Sequence, residues 1–168
     1  TSEGDFHEAL NLAAVFEAPV VFLVQNNGYA ISTPVSRQMR AASIAAKGEG
    51  YGMPAYQVDG NDFEQVYPRL HEAVERARAG GGPTLIEAMT YRMGPHTTSD
   101  NPDRYRSREE VEQWRGRDPL TRIQHQMYQR LPNAKTHIEN AILAAEKIAS
   151  EARTSMMQLQ MPDPQDLF

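Results

Sequence analysis

The most regular feature of the chain is the alternation of short apolar runs with stretches in which apolar residues recur every third or fourth position. The apolar runs lie at 20–24, 55–58 and 84–90. Short apolar runs are typical of buried strands, and the periodic stretches between them are typical of amphipathic helices. Because strands that alternate with helices pair in parallel through crossover connections, the pattern predicts an α/β fold with a parallel sheet and flanking helices.

The clearest periodic stretch follows Asp62. Its apolar positions share one helical face: Phe63, Val66, Leu70, Val74 and Ala77. The glycines at 80–82, followed by Pro83, predict where this helix ends. Pro68 lies inside the stretch, and a kink or a restart is expected there because proline has no amide hydrogen and crowds the preceding turn.

Capping signals predict where other helices begin. Ser2, three residues before Asp5, predicts the start of a first helix, and Asp118 before Pro119 predicts a later one. A last helix is predicted from residues at helical spacing: Ile138, Ile142, Ala145, Ala149 and Ala152. The period leaves open whether this face docks on its own domain or on another subunit. The tail at 156–161 carries adaptable apolar side chains and is expected to be disordered without a partner.

Composition and charge exclude several classes of function. The 168 residues fit one domain. They include 22 Asp and Glu against 17 Lys and Arg, which argues against a nucleic-acid surface because such a surface needs clustered positive charge. The chain has no cysteine, which excludes disulfides and thiolate chemistry. No apolar run approaches a membrane span and no signal peptide opens the chain, so a soluble intracellular protein is the expectation.

Two neighbouring asparagines stand close to the end of the first predicted strand. The run at 25–29 reads Gln-Asn-Asn-Gly-Tyr, and it stands at the carboxyl end of a strand, where cofactors bind to parallel sheets. An Asn side-chain oxygen and a free backbone carbonyl are neutral ligands suited to Mg²⁺, which keeps its other positions for water and phosphate. The same residues are also typical of an ordinary turn. The residues alone leave both interpretations open.

A second polar segment follows the third predicted strand. His96 differs from the other four histidines, which lie in helical stretches, because it follows Gly-Pro in a loop rich in Thr and Ser. An imidazole there can point into a cleft and transfer protons. Arg92 and Arg106 flank the loop, with Asp100 and Tyr105 between them, and this set can fix a loop through bidentate pairs and a phenolic hydrogen bond. A solvated polar loop is the alternative interpretation.

Four blocks in one order carry a resemblance to a known family. They are Thr-Ser-Glu-Gly-Asp at 1–5, Asn-Asn-Gly-Tyr-Ala-Ile-Ser at 26–32, Val-Asp-Gly-Asn-Asp at 58–62, and Gly-Pro-His-Thr-Thr-Ser-Asp at 94–100 with Tyr-Arg-Ser at 105–107. With these blocks the chain resembles the α subunit of thiamine-diphosphate-dependent 2-oxo acid dehydrogenases. The resemblance is strong as far as Ser107 and weaker beyond it.

The resemblance implies that the chain is an excised C-terminal portion of a thiamine-diphosphate-binding α/β fold. It implies a partial cofactor-binding domain at 1–115, followed at 116–168 by a C-terminal helical segment of the same domain and its tail. A Gly-Asp-Gly motif is expected just upstream of Thr1, and its Asp would be a second side-chain ligand of Mg²⁺. The family is also expected to continue beyond Phe168.

The implied cofactors are thiamine diphosphate and Mg²⁺. Asn27 would give a side-chain oxygen and Tyr29 its backbone carbonyl to the metal, while Asn26 would hold the turn. The helix that opens near Ser2 would aim amides at the diphosphate. Gln25 stands where some relatives have an arginine beside the diphosphate, and glutamine can donate hydrogen bonds there but brings no charge.

The resemblance gives roles to the loop after the third strand. His96 is the implied catalytic residue, which assists the acyl intermediate and its transfer to a lipoyl group. The resemblance also implies that Arg92, like His96, binds the cofactor. The loop is expected to become ordered when the cofactor binds, with Asp100, Tyr105 and Arg106 contributing to that order.

Thr97 and Ser107 stand where kinases modify serines in animal relatives. A phosphate at Thr97 would place negative charge beside the diphosphate and block the route of the substrate. The threonine at this position weakens that hypothesis.

The implied activity of the whole protein is the oxidative decarboxylation of a 2-oxo acid with acyl transfer to a lipoyl group. The implied partners are a β subunit, in an assembly of two α and two β chains, the lipoyl-bearing acyltransferase and the substrate, with no nucleic acid and no membrane. The blocks look closest to branched-chain enzymes, and pyruvate dehydrogenase is the near alternative. Two further interpretations are a catalytically silent assembly module and a transketolase-type enzyme. The cytoplasm is the implied location in a bacterium, and the mitochondrial matrix in a eukaryote.

Overall fold

Helices and strands alternate along the chain in the computed structural model, which describes residues 1–159. The elements are α1 (Gly4–Val15), β1 (Val21–Asn26), β2 (Tyr29–Ala30), β3 (Thr33–Pro34), α2 (Ala45–Gly50), β4 (Ala55–Asp59), α3 (Phe63–Arg78), β5 (Thr84–Met89), α4 (Arg108–Arg115), α5 (Pro119–Arg130) and α6 (Ala134–Gln158). Short 3₁₀ helices lie at Val35–Arg37 and Pro102–Arg104. The predicted α/β fold is confirmed. The end of the predicted tail, from residue 160, lies outside the described residues.

Three strands form the main sheet in the order β1-β5-β4, and both pairings are parallel. Asn26 of β1 and Asp59 of β4 both pair with Met89 of β5, so the three strands end at the same edge. The segments that follow the strands therefore meet there. Strands β2 and β3, which the sequence did not predict, form a separate antiparallel hairpin immediately after β1.

The middle strand β5 separates two apolar clusters. Ile86 and Ala88 pack with Val58 of β4 and Ala73 of α3. Leu85 packs with Leu10 of α1 and with Met53. Successive residues of a strand point to opposite faces, so β5 is buried on both sides. This explains why the strand reads as a nearly continuous apolar run.

The first helix does not begin at its predicted cap. Helix α1 begins at Gly4, its N-cap residue is Glu3, and no side chain caps it. The hydroxyl of Ser2 donates instead to the side-chain oxygen of Gln38 at 3.2 Å. The prediction that Ser2 caps the helix is therefore wrong, because a tertiary contact takes its side chain.

Helix α3 runs without a break through Pro68. Of the kink or restart predicted there, the restart is therefore wrong, and the kink stays a prediction. The absent amide hydrogen removes one backbone hydrogen bond, whereas the buried residues Ala73 and Ala77 keep the helix against the sheet. Packing of an apolar face outweighs local propensity here, as it does in most helices of proteins.

The remaining helix predictions have mixed outcomes. The side chain of Asp118 accepts from the amides of Leu120 and Thr121, which confirms the cap of α5. The last helix is confirmed, but it includes Met156 and Met157, so the prediction that this part of the tail is disordered is wrong.

The chain forms two compact units, Thr1–Ile123 and the residues from Gln124 on. None of the helices within residues 1–159 has the length and apolar character needed to cross a bilayer.

Gly48 in α2 should tolerate no side chain. A methyl group added there would lie 2.7 Å from Cβ of Ala55 and 3.2 Å from Cδ2 of Leu85, whereas one added at Gly50 in the same helix meets nothing within 4 Å. We expect Gly48→Ala to lower the free energy of unfolding by about 1–3 kcal/mol through overpacking. Gly50→Ala, the matched control, should be neutral or slightly stabilising. Urea unfolding midpoints measure both, and equal midpoints would contradict the packing described here.

Candidate functional site

A cavity of about 380 Å³ lies at the edge where the parallel strands end. Its walls come from the segments after all three strands and from α4, and they include Gln25, Asn27, Asn61, Thr90, Arg92 and Trp114. A smaller cavity of about 180 Å³ shares Gln25 and Asn27 and adds Tyr29. The loop between β1 and β2 therefore lines both cavities.

This loop is folded by its own asparagine side chains. The side-chain oxygen of Asn26 accepts from the amide of Gly28 at 3.1 Å, and that of Asn27 accepts from the amide of Tyr29 at 3.1 Å. Gly28 has φ of +83°, a conformation that glycine adopts without strain. The predicted role of Asn26 in holding the turn is confirmed. The oxygen of Asn27 also folds the turn, and it has a second lone pair for a ligand.

Tyr29 joins the loop to α4. Its hydroxyl donates to the carboxyl group of Glu110 at 3.1 Å, and its ring lies 5.5 Å from that of Tyr105. Nearby, Tyr91 stacks on Trp114 with 5.2 Å between ring centroids. Burial first, and then the hydrogen bond with Glu110, raise the pKa of Tyr29 to about 12.

Arg92 holds the β2–β3 hairpin against the segment after β5. Its guanidinium donates to the carbonyl of Ile31 at 2.5 Å and to the hydroxyl of Tyr105 at 3.0 Å. Ile31 has φ of +55°, which is unusual for a β-branched residue. The hydrogen bond from Arg92 helps to keep the hairpin in this strained turn.

Asp100 organises the loop around His96. Its carboxyl group accepts from the amide of His96 at 2.8 Å and from the hydroxyl of Tyr105 at 2.7 Å. These two hydrogen bonds, the first the larger, lower the pKa of Asp100 below its ordinary value. The predicted phenolic hydrogen bond is therefore present.

Arg106 fixes the start of the same loop through backbone carbonyls. Its guanidinium donates to the carbonyls of Arg92, Met93 and Gly94. The bidentate pairs predicted for Arg92 and Arg106 do not form with Asp100, which accepts instead from His96 and Tyr105. Turning the chain after β5 leaves carbonyls without partners in the ladder, and buried carbonyls must be paired.

The structure brings only some of the predicted site residues together. Gln25, Asn27 and Arg92 line the larger cavity and Tyr29 lines the smaller one, whereas His96 is exposed and lines neither. A catalytic role for His96 stays a prediction.

The two predicted phosphosites differ in their surroundings. Thr97 is exposed, and its hydroxyl lies 3.2 Å from that of Ser99. Ser107 caps α4, because its hydroxyl accepts from the amide of Glu110 at 3.1 Å. Ser107 thus supports the helix that contacts Tyr29.

Three residues beside the site were not found from the sequence. Glu110 and Trp114 lie in α4, a helix for which the sequence analysis made no prediction. Glu87 is fully buried in β5. Its signal was present in the sequence, because it is the one charged residue in an apolar strand.

The raised pKa of Tyr29 gives a direct test of this geometry. Glu110→Gln should lower the pKa of Tyr29 from about 12, because a neutral amide stabilises the neutral phenol less than a carboxylate does; burial should keep it above its ordinary value. Because the folded-state pKa is raised, the stability from neutral Tyr29 is complete below its ordinary pKa and is lost as pH rises toward 12. Ultraviolet titration measures the shift. Glu112→Gln, on the same helix but paired at the surface with Arg115, is the control, and an equal effect would contradict the contact.

Comparison with known proteins extends over nearly the whole chain. The family described as Dehydrogenase E1 component matches residues 1–165. The chain is 52% identical over 168 residues to the 3-methyl-2-oxobutanoate dehydrogenase subunit alpha of Mycobacterium tuberculosis, covering 100% of this chain and 46% of that protein. It is 43% identical over 180 residues to the pyruvate dehydrogenase E1 component subunit alpha of Staphylococcus aureus, covering 99% of this chain and 49% of that protein.

The chain therefore spans about half the length of the curated relatives it matches. The matched residues include β1, β4 and β5 and the loops at their carboxyl ends. On this match, the chain belongs to the Dehydrogenase E1 component family.

Proposed function

We propose that this chain is part of the α subunit of a branched-chain 2-oxo acid dehydrogenase. The whole enzyme would carry out thiamine-diphosphate-dependent oxidative decarboxylation and pass the acyl group to a lipoyl group. The observation that carries the proposal is the cavity at the carboxyl edge of the sheet, with Asn27 and Arg92 in its wall. Such an edge is where cofactors bind in α/β proteins. The identity of 52% to a 3-methyl-2-oxobutanoate dehydrogenase subunit favours the branched-chain substrate.

The residues around the cavity fit a diphosphate held through Mg²⁺. Within residues 1–159 no cluster of three His, Asp, Glu or Cys side chains could hold a metal, and the candidate ligands among these residues are neutral oxygens. The Asn27 side chain and the Tyr29 carbonyl are such ligands. Nε of Arg92 is buried without a hydrogen-bond partner among the described residues, and it could donate to an anionic group. Gln25 adds an uncharged donor.

Thiamine diphosphate, when bound, supplies an acceptor for the electron pair left behind by departing carbon dioxide. The residues of this chain would anchor the diphosphate end and manage protons. We assign proton transfer during acyl transfer to His96, whose loop is tied to the cavity wall through Asp100, Tyr105 and Arg92. The exposed position of the imidazole suits a group that must meet an incoming lipoyl group.

We propose further that the subunit pairs with a β subunit as two α and two β chains and works with a lipoyl-bearing acyltransferase. Exposed apolar side chains on α6 support a protein partner: Ile142, Leu143 and Ile148. The division of the chain into a cofactor-binding part at 1–115 and a C-terminal part at 116–168 belongs to the same proposal. So does a cytoplasmic location, since the relatives named above are bacterial.

Pyruvate is the second candidate substrate. The identity of 43% to a pyruvate dehydrogenase subunit supports it. A side-chain pocket distinguishes substrates that differ by a methylene group by only about 1–3 kcal/mol. The choice between the two substrates therefore requires a measurement.

Metal binding tests the cofactor site without turnover. In the full-length subunit with thiamine diphosphate, Asn27→Ala should weaken the binding of Mn²⁺, used in place of Mg²⁺, by at least about 10-fold. The control is Asn11→Ala, an exposed position in α1. Electron paramagnetic resonance of free Mn²⁺ measures the affinity. If the wild-type protein does not bind Mn²⁺, the result would favour the interpretation that the chain is a catalytically silent assembly module.

Turnover tests the reaction and its substrate. With the β subunit, Mg²⁺ and thiamine diphosphate, we expect a larger kcat/KM for 3-methyl-2-oxobutanoate than for pyruvate. His96→Ala should lower acyl transfer by about 100-fold or more, as loss of a general acid or base does. His71→Ala, an exposed histidine of α3, should have no effect. A preference for pyruvate would assign the sister activity, and an active His96→Ala enzyme would remove that residue from the reaction.

A further inference from the structure

We propose that Glu87 is a positioning residue that sets the conformation of the metal-binding loop through Asn26. The inference rests on the proposed function, because it concerns the loop that would present Asn27 and Tyr29 to the metal. It assigns to a buried side chain in the middle of the sheet a specific effect on metal affinity.

Glu87 is held from three directions. It has no exposed surface. One oxygen, Oε1, accepts from Nδ2 of Asn26 at 2.7 Å, and the other, Oε2, accepts from the amide of Ala45 at 3.0 Å and from Nε2 of Gln57 at 3.1 Å. The donors belong to the end of β1, the start of α2 and strand β4. Two bonds on Oε2 keep the carboxyl group from rotating, so Oε1 stays directed at Asn26.

This arrangement decides which way the amide of Asn26 points. An asparagine amide has a donor side and an acceptor side. Because Oε1 of Glu87 requires the donor, the oxygen of Asn26 must face the other way, where it accepts from the amide of Gly28. A reversed Asn26 would turn its NH₂ group toward the Gly28 amide and open the turn. The loop conformation that places Asn27 and Tyr29 is therefore set by Glu87.

Packing alone does not account for this residue. The neighbours of Glu87 along β5, Ile86 and Ala88, are buried apolar residues in the core. Burying a polar acidic group is unfavourable compared with an apolar group of similar volume. A fully hydrogen-bonded polar group in a core favours one geometry more than it adds stability. Here that geometry is the conformation of the metal-binding loop.

Glu87→Gln should break the arrangement selectively. The introduced amide keeps one oxygen, and the best use of that oxygen is to satisfy the two donors of Ala45 and Gln57. Its NH₂ group then faces the NH₂ group of Asn26, and relief of that clash by rotating Asn26 removes the acceptor of Gly28. Adding Asn26→Asp supplies acceptors on both sides and restores the original net charge. The double variant should therefore recover the loop.

The experiment uses the full-length subunit in its native assembly, with Mn²⁺ and thiamine diphosphate as probes. Mn²⁺ affinity is measured by electron paramagnetic resonance, and hydrogen–deuterium exchange of the peptide covering residues 25–32 is measured without ligand. We expect Glu87→Gln to weaken Mn²⁺ binding by about tenfold and to speed exchange in this peptide. The double variant with Asn26→Asp should recover both. Thr84→Val, at a buried polar position on the same strand, should change neither.

Each outcome decides the inference. Wild-type affinity in Glu87→Gln overturns it, and so does a loss that the double variant fails to recover, which would indicate a general weakening of the sheet. A loss of the same size in Thr84→Val overturns it as well. If the wild-type protein binds neither probe, the proposed function fails, and the inference is then judged on exchange alone. In that case, unchanged exchange in Glu87→Gln overturns it.

Discussion

Parallel pairing of β5 with strands on both sides is the constraint on which the rest of the structure depends. Because Asn26 and Asp59 both pair with Met89, the chain leaves the sheet three times at one edge. Strand pairing thus brings residues far apart in sequence together there, where hydrogen bonds such as that from Tyr29 to Glu110 then join them. The cavity is therefore a consequence of strand register, and a one-residue slip would turn the side chains of a strand to its opposite face.

Short polar contacts convert this edge into a fixed arrangement. At one side, Arg122 at the start of α5 donates to Asp59 and Asp62, each at 2.9 Å. Burial acts to raise the pKa of Asp59, but the hydrogen bond from Arg122 and further donors outweigh it and lower that pKa. At the other side, Arg92 holds Ile31 and Tyr105. Asp59 ends β4, whereas Asp62, Ile31 and Tyr105 lie in segments that follow strands, so the two arginines order these segments at the edge of the sheet.

The sequence was sufficient where one physical rule dominates. Burial on both faces made β5 apolar, and the pairing of a cap with proline marked the start of α5 at Asp118. It was insufficient where distant groups compete for the same partner. Ser2 stands where a helix cap is expected, but its hydroxyl donates to the side chain of Gln38 instead. No local sequence pattern predicts the hairpin at Ile31 either, since its turn is held by a hydrogen bond from Arg92 in another segment.

The distribution of positive charge limits how the candidate site can hold a diphosphate. Nη1 and Nη2 of Arg106 donate to backbone carbonyls, and Gln25 is uncharged. Both hydrogen bonds that Arg92 donates, to Ile31 and to Tyr105, come from Nη2, and its Nε has no hydrogen-bond partner among the described residues. Among the described residues that line the larger cavity, Arg92 carries a positive charge, and a metal ion bound beside it would add to the charge that faces a diphosphate. The placement of the neutral ligands Asn27 and Tyr29 would then affect the affinity for the cofactor together with Arg92.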